Sequence, residues 1–356
     1  MNLRSRLHWV VLASVVTLFA SGCATRAPTR TAAADTTQPA AQGVLRSVAT
    51  DRALEDRILA LDARRIDEGD FLNTLSKAPA PRIVLLHGGF YPTHLIMASA
   101  GRFLVGMGYP EDRIRHPGDR RWSHTPYENS ARIAGLIAWY YERDGTRPMM
   151  IGHSQGGIQA IKVLYELAGQ FDNPIPVWNP AADEALDRTT IVDPLTGAER
   201  PVVGLSLSYV SVVGAGGVAL LLPNQWSMAS KLRTIPNTVD DFTGFSVGLD
   251  LMAWTVPGID ASTEFRHNGT AEVRSVVLPS VYNHLTVPIV GPLAGDKATR
   301  DWINAYVPDQ PNADPPPQTV GYGALWAADV WYSVKKHWAL EAQRLIRAKR
   351  AALGPP

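Results

Sequence analysis

The chain has 356 residues, with 34 Lys+Arg against 33 Asp+Glu and a formal charge of +1. That balance lacks the basic excess that phosphate contacts need, which excludes a nucleic-acid partner; a hydrophobic fraction of 46% excludes wholesale disorder. A single cysteine excludes an intramolecular disulfide and any zinc site built on cysteine pairs.

At the start of the chain, Arg4 and Arg6 precede an uncharged run from Trp9 to Ala20. The run falls short of the roughly 20 residues that span a bilayer. A basic start, a short apolar core and small residues after it describe a signal peptide. The segment ends Ala20-Ser21-Gly22-Cys23, which resembles the lipobox of bacterial lipoproteins. The resemblance implies cleavage before Cys23 and lipid on its sulfur and amine. Ala24, rather than Asp, resembles the outer-membrane sorting signal, so the expected location is the periplasmic face of that membrane. Losing Arg4 and Arg6 turns the charge from +1 to −1. The acyl chains, each buried methylene contributing about 0.8 kcal/mol, would then hold the protein at the membrane.

Residues 1–22 are thus the expected signal peptide. Residues 23–50, rich in Ala, Thr, Pro and Gln, read as a flexible tether. Residues 51–356 read as a single α/β domain. A helix is expected from Asp51 to Ile66, with Leu54, Ile58 and Leu61 on one face. Arg82–Leu86 is a short strand ending at His87-Gly88-Gly89. Ala98–Met107 fits a helix, Asp112–Arg115 a strand, and Ser130–Glu142 a helix with Ile133, Leu136, Ile137 and Tyr140 in register. Pro148–Ile151 is a buried strand, followed by a helix from Gln155 to Ala168. Tyr209–Val213, Phe245–Leu249 and Val273–Leu278 are further strands. Strand–helix alternation of this kind predicts a mostly parallel sheet flanked by helices.

The piece at 169–204 breaks the rhythm. Its prolines and the turn signal Asp193-Pro194-Leu195-Thr196-Gly197 read as a lid-like insertion carrying a small hairpin. Pro308–Pro317 forms a second proline-rich loop. A terminal helix is expected over Ala327–Ala352, its Lys335, Lys336, Arg344, Arg347, Lys349 and Arg350 forming a solvated basic side.

Gly152-His153-Ser154-Gln155-Gly156 matches Gly-x-Ser-x-Gly between a predicted strand and a predicted helix, the context that motif requires. A sharp turn there lifts the serine hydroxyl above the sheet. Side chains at Gly152 and Gly156 would collide with the neighbouring strand and turn, and the helix start adds amides and a positive dipole. His87-Gly88-Gly89-Phe90 follows the first strong strand, where glycines let backbone approach a substrate carbonyl. From about Arg82 to Tyr306 the chain resembles the lipase/esterase branch of the α/β-hydrolase fold. The resemblance implies an oxyanion hole made by the amides of Gln155 and of Gly89 or Phe90.

A serine nucleophile needs a base, and the family's order is Ser, acid, His. Downstream histidines are His267, His284 and His337. His337 reads as a surface residue of the terminal helix, and His267 as a loop residue. His284 follows the last strand, where the family places its histidine. His94, His116 and His124 read as loop or surface residues without metal-ligand spacing, and no metal is expected. For the acid, Asp250 sits at the end of the penultimate strand; Asp260 and Glu264 are the alternatives. The expected activity is ester hydrolysis on a small-molecule or lipid substrate through an acyl-enzyme, without metal or organic cofactor. Acyl transfer, thioester or amide cleavage on the same triad, or ligand binding without catalysis, are the alternatives. Gly214-Ala215-Gly216-Gly217 lies where the site should open. Val218–Leu222 after it reads as an acyl-pocket wall or a buried helix, and Trp178 and Trp226 as pocket, core or lid residues.

Overall fold

Five strands lie side by side in a computed structural model, which describes residues 41–247, 250, 262–319 and 322–354. They are β1 (Ile83–Leu86), β2 (Met149–His153), β3 (Leu207–Val213), β4 (Val239–Val247) and β5 (Glu272–Leu278). All four pairings are parallel, and spatial order equals chain order. One register line runs Ile83, Met149, Tyr209, Asp241, Glu272. Parallel neighbours require a long crossover between strands, and helices fill several of these.

The helices are α1 (Ala41–Ser47), α2 (Arg52–Ala60), α3 (Glu68–Asn73), α4 (Thr93–Gly106), α5 (Ser130–Asp144), α6 (Gln155–Leu167), α7 (Lys297–Ala305) and α8 (Ala324–Leu353). Period-two alternation divides each strand between two cores. Ile83, Leu85, Met149, Ile151, Tyr209 and Val213 join α4 and α8; Val84, Leu86, Met150, Val210 and Val212 join α5 and α6. A mostly parallel sheet covered on both faces is therefore the architecture.

The insertion at 169–204 carries two short antiparallel ladders, Trp178–Asn179 with Glu184–Ala185 and Thr190–Val192 with Glu199–Pro201. Arg188 fastens it to α5, its two terminal nitrogens 2.6 and 3.0 Å from the carboxylate of buried Glu142. Val192 N–H donates to the same carboxylate at 2.8 Å. Removing one partner would leave a buried charge unmatched, typically at a cost of about 3–5 kcal/mol.

Several expectations are corrected. Helix α1 lies inside the stretch read as tether, with Val44 and Leu45 buried, because it packs on α8. Helix α2 stops at Ala60 rather than Ile66: Leu61 turns to extended backbone, and Asp62 accepts from the N–H of Arg64. Instead of a strand, residues 111–113 form a turn of 3-10 helix after Pro110. The basic side of α8 is exposed at Arg347 but mostly paired or buried elsewhere. Lys335 is buried, Lys336 pairs with Asp241 at 2.8 Å, and Lys349 and Arg350 each reach buried Glu55 at 2.8 Å. His337 is likewise buried, with Nε2 3.2 Å from Asp241. His116 and His124 are buried as well. Fully buried Trp326, Trp331 and Trp338 make α8 a core helix, and truncating one to alanine would cost about 3–5 kcal/mol. Residues 1–22, Cys23, Ala24 and Asp260 lie outside the described residues.

Candidate active site

The chain turns sharply where β2 meets α6. Ser154 sits at φ 55°, ψ −125°, a conformation that costs a non-glycine residue about 1–3 kcal/mol and persists only where surroundings enforce it. Those surroundings are specific. Ser154 N–H donates to Val213 O of β3 at 2.8 Å, and Gly157 N–H returns to Ser154 O at 2.9 Å. A Cβ on Gly152 would stand 2.6 Å from Gly156 O, and one on Gly156 would stand 2.5 Å from Leu86 O. Both glycines therefore serve close backbone approach, as expected from the motif.

Val213 is followed by Gly214, at φ +65°. A Cβ there would lie 2.6 Å from His284 Cε1 and 2.7 Å from His284 Nδ1. The imidazole of His284 thus rests on Gly214, one residue beyond the carbonyl that holds Ser154. His284 is buried in the turn after β5, its Nδ1 2.5 Å from Asp250 Oδ2. With Nδ1–H donated to that carboxylate, Nε2 is left as the acceptor. It is buried without a hydrogen-bond partner among the described residues. Of the two proposed acids among the described residues, Asp250 is the one brought to His284. Glu264 is exposed and lies 4.0 Å from Arg266, and Asp260 is outside the described residues. His267, read as a loop residue, is exposed but stands in a two-residue strand, Arg266–His267, paired with Thr234–Ile235.

The loop after β1 closes over the elbow. A Cβ on Gly88 would meet Ser154 Cβ at 3.3 Å, and one on Gly89 would overlap the side-chain amide of Gln155. Among the described residues, no protein acceptor takes the backbone N–H of Gly89, Phe90 or Gln155. These three amides, together with the first turn of α6, offer donors where negative charge would develop.

Sequence reasoning missed three residues here. His153, fully buried, sends Nε2–H to the carbonyl of His284 at 2.9 Å. Burial, then the neighbouring His284, pushes its pKa down to about 3, so it stays neutral. It occupies a variable position of the motif but closes a buried strand, which was the available signal. The Thr93 hydroxyl lies 2.7 Å from Gly88 O and 2.5 Å from Phe90 O, and Tyr127 donates to Gly89 O at 2.6 Å. Neither stands in a pattern that announces it. Trp226 is exposed and Trp178 half-buried beneath Arg132. The Gly217–Leu221 segment is a 3-10 turn with Leu220 buried and Leu221 exposed.

A parallel sheet whose second strand ends in a strained serine elbow is the α/β-hydrolase arrangement. No family model matches the chain, and no curated protein does. Solved structures with a similar fold include a putative α/β hydrolase of unknown function from Agrobacterium tumefaciens, at 13% identity over 67% of this chain and 90% of that one, TM-score 0.31. Aspergillus fumigatus lipase B is similar at 12% identity over 72% of this chain and 62% of that one, TM-score 0.35. RedJ, with a PEG molecule in its active site, is similar at 15% identity over 65% and 89%, TM-score 0.29.

Proposed function

We propose that this chain is a serine hydrolase that cleaves carboxylic esters through an acyl-enzyme. One observation carries the reading: a strained, glycine-framed Ser154 shares its sheet edge with a buried His284–Asp250 pair whose imidazole Nε2 is unpartnered among the described residues. Ser154 Oγ attacks the ester carbonyl carbon as His284 Nε2 takes its proton. Asp250 holds Nδ1–H and balances the imidazolium charge. The oxyanion is met by the amides of Gln155 and of Gly89 or Phe90. His284 then protonates the departing alkoxide. Water, deprotonated by the same nitrogen, attacks the acyl carbon, and the collapsing intermediate returns the proton to Ser154.

We further propose that lipid on Cys23 holds the enzyme at the periplasmic face of the outer membrane. Among the described residues no helix is long and apolar enough to cross a membrane. Val44 of α1 packs beside Gly145, just before β2, so the chain enters at the end of the sheet opposite Ser154.

Activity-based labelling tests the chemistry. A fluorophosphonate should label the wild-type chain and leave Ser154→Ala unlabelled. Asp250→Asn should lower kcat on a p-nitrophenyl ester by about 10³–10⁴. Labelling of Ser154→Ala at the wild-type rate would refute the assignment.

A further inference from the structure

Both loop amides offered to the oxyanion belong to peptide planes whose carbonyls are held by side chains. In a trans peptide the C=O and the N–H point in opposite directions, so fixing one fixes the other. The Gly88 carbonyl shares its plane with the N–H of Gly89 and lies 2.7 Å from the hydroxyl of buried Thr93, whose one proton it shares with the Phe90 carbonyl at 2.5 Å. The Gly89 carbonyl shares its plane with the N–H of Phe90 and accepts from Tyr127 at 2.6 Å. We propose that Tyr127 is a positioning residue for ester hydrolysis: its hydroxyl clamps the Gly89–Phe90 peptide so that the Phe90 amide is aimed before substrate arrives.

The clamp rests on the serine-hydrolase reading, and three further observations support it. First, glycine at position 89 has no side chain to fix its own plane, and neither the Gly89 nor the Phe90 amide is bonded to a protein acceptor among the described residues. Second, the mount of Tyr127 is rigid on both sides. On one side His124 N–H donates to Leu85 O at 2.8 Å and His87 N–H to His124 O at 3.1 Å. On the other, Gln159 of α6 donates to the Glu128 carbonyl at 2.7 Å, and the Glu128 carboxylate holds His124 Nδ1 at 2.9 Å and Arg132 Nε at 3.0 Å. Third, the Tyr127 side chain is 57% exposed, so its ring contributes little to the core. A large exposed aromatic on a fixed mount, with its hydroxyl spent on a loop carbonyl, is better explained by the loop it holds than by packing.

Tyr127→Phe removes the hydroxyl and keeps the ring. Deleting an oxyanion donor outright costs about 10²–10³ in turnover. Loosening one costs less, about tenfold. The full chain would be assayed on p-nitrophenyl butyrate, with butylboronic acid as the tetrahedral mimic and thermal melting alongside. The expected result is kcat lower by about tenfold, KM within twofold, the boronate weakened by a matching factor, and an unchanged melting temperature. Tyr127→Phe with kcat and boronate affinity within twofold of wild type would overturn the clamp. So would a loss of activity matched by a melting temperature several degrees lower, which would mark a structural role. In the first case, abolition of turnover by Ser154→Ala would leave the hydrolase reading standing. Full turnover in Ser154→Ala would remove that reading and the clamp with it.

Discussion

Replacing His153 with glutamine separates proton uptake from hydrogen bonding beneath the serine elbow. His153 is fully buried, donates to the His284 carbonyl at 2.9 Å, and has its pKa pushed down to about 3. In the unfolded chain the same ring accepts a proton near pH 6.5. Between those values the unfolded state binds more protons, so stability rises with pH. The contribution is complete above about 6.5 and is lost as pH falls toward 3, at about 1.4 kcal/mol per pH unit. From pH 6.5 to 5 the loss is about 2 kcal/mol. Roughly 300 ordered residues carry an unfolding entropy of about 0.6 kcal/mol/K, which converts that loss to about 3 °C. Glutamine can donate an amide N–H to the same carbonyl and does not titrate. Melting of wild type and His153→Gln at pH 7 and pH 5 should therefore show the wild type losing about 3 °C more. Parallel losses in the two proteins would refute the buried neutral imidazole.

Gly214→Ala should lower kcat on the p-nitrophenyl ester by about 10² or more, because its Cβ would displace the His284 imidazole and about an ångström of misplacement costs that much; activity within threefold of wild type would show that His284 does not depend on this close approach. Cys23→Ser should move the protein from the membrane fraction to the soluble fraction on fractionation of expressing cells, and unchanged membrane association would remove the anchor proposal.

Much of the sheet was legible because its strands are continuous apolar runs: Ile83–Leu86, Met149–Ile151 and Tyr209–Val213 are buried on both faces. The elbow was legible because Gly-x-Ser-x-Gly states a steric requirement that only those glycines meet. His284 and Asp250 were legible by position, each following a predicted strand. The start of β4 was not. Asp240, Asp241 and Thr243 look unsuited to an inner strand, yet Arg147 takes Asp240 at 2.6 Å, Lys336 takes Asp241 at 2.8 Å, and Arg274 reaches Thr243 at 3.2 Å. Those partners lie between 31 and 95 residues away, and periodicity carries no trace of them. Helix α8 misled for the same reason. Its lysines and arginines resemble a solvated face until the distant Glu55 and Asp241 are seen to receive them. Tyr127 and Thr93 act through carbonyl groups, and sequence does not say which carbonyl a hydroxyl will find.

Acid should act unequally on the two ends of the sheet. At the carboxyl ends of the strands, burial holds His153 to about 3 and His87 to about 4, and beside them His116 to about 4. Each depressed histidine destabilises the fold as pH falls below about 6.5, because only the unfolded chain accepts the proton. At the amino-terminal ends, the Asp241 carboxyl is held to about 2: burial opposes ionisation, but His337 and Lys336 outweigh it. The contribution of a depressed carboxylate is present above its unfolded value near 3.9 and is lost only below it. Between about pH 6.5 and 4 the penalty therefore falls on the edge that carries Ser154, while the Lys336–Asp241 pair beneath α8 keeps its charge. That edge also bears the strained serine and relies on neutral hydrogen bonds worth about 0.5–1.5 kcal/mol each. The site's geometry is thus less protected against acid than the Lys336–Asp241 contact beneath α8.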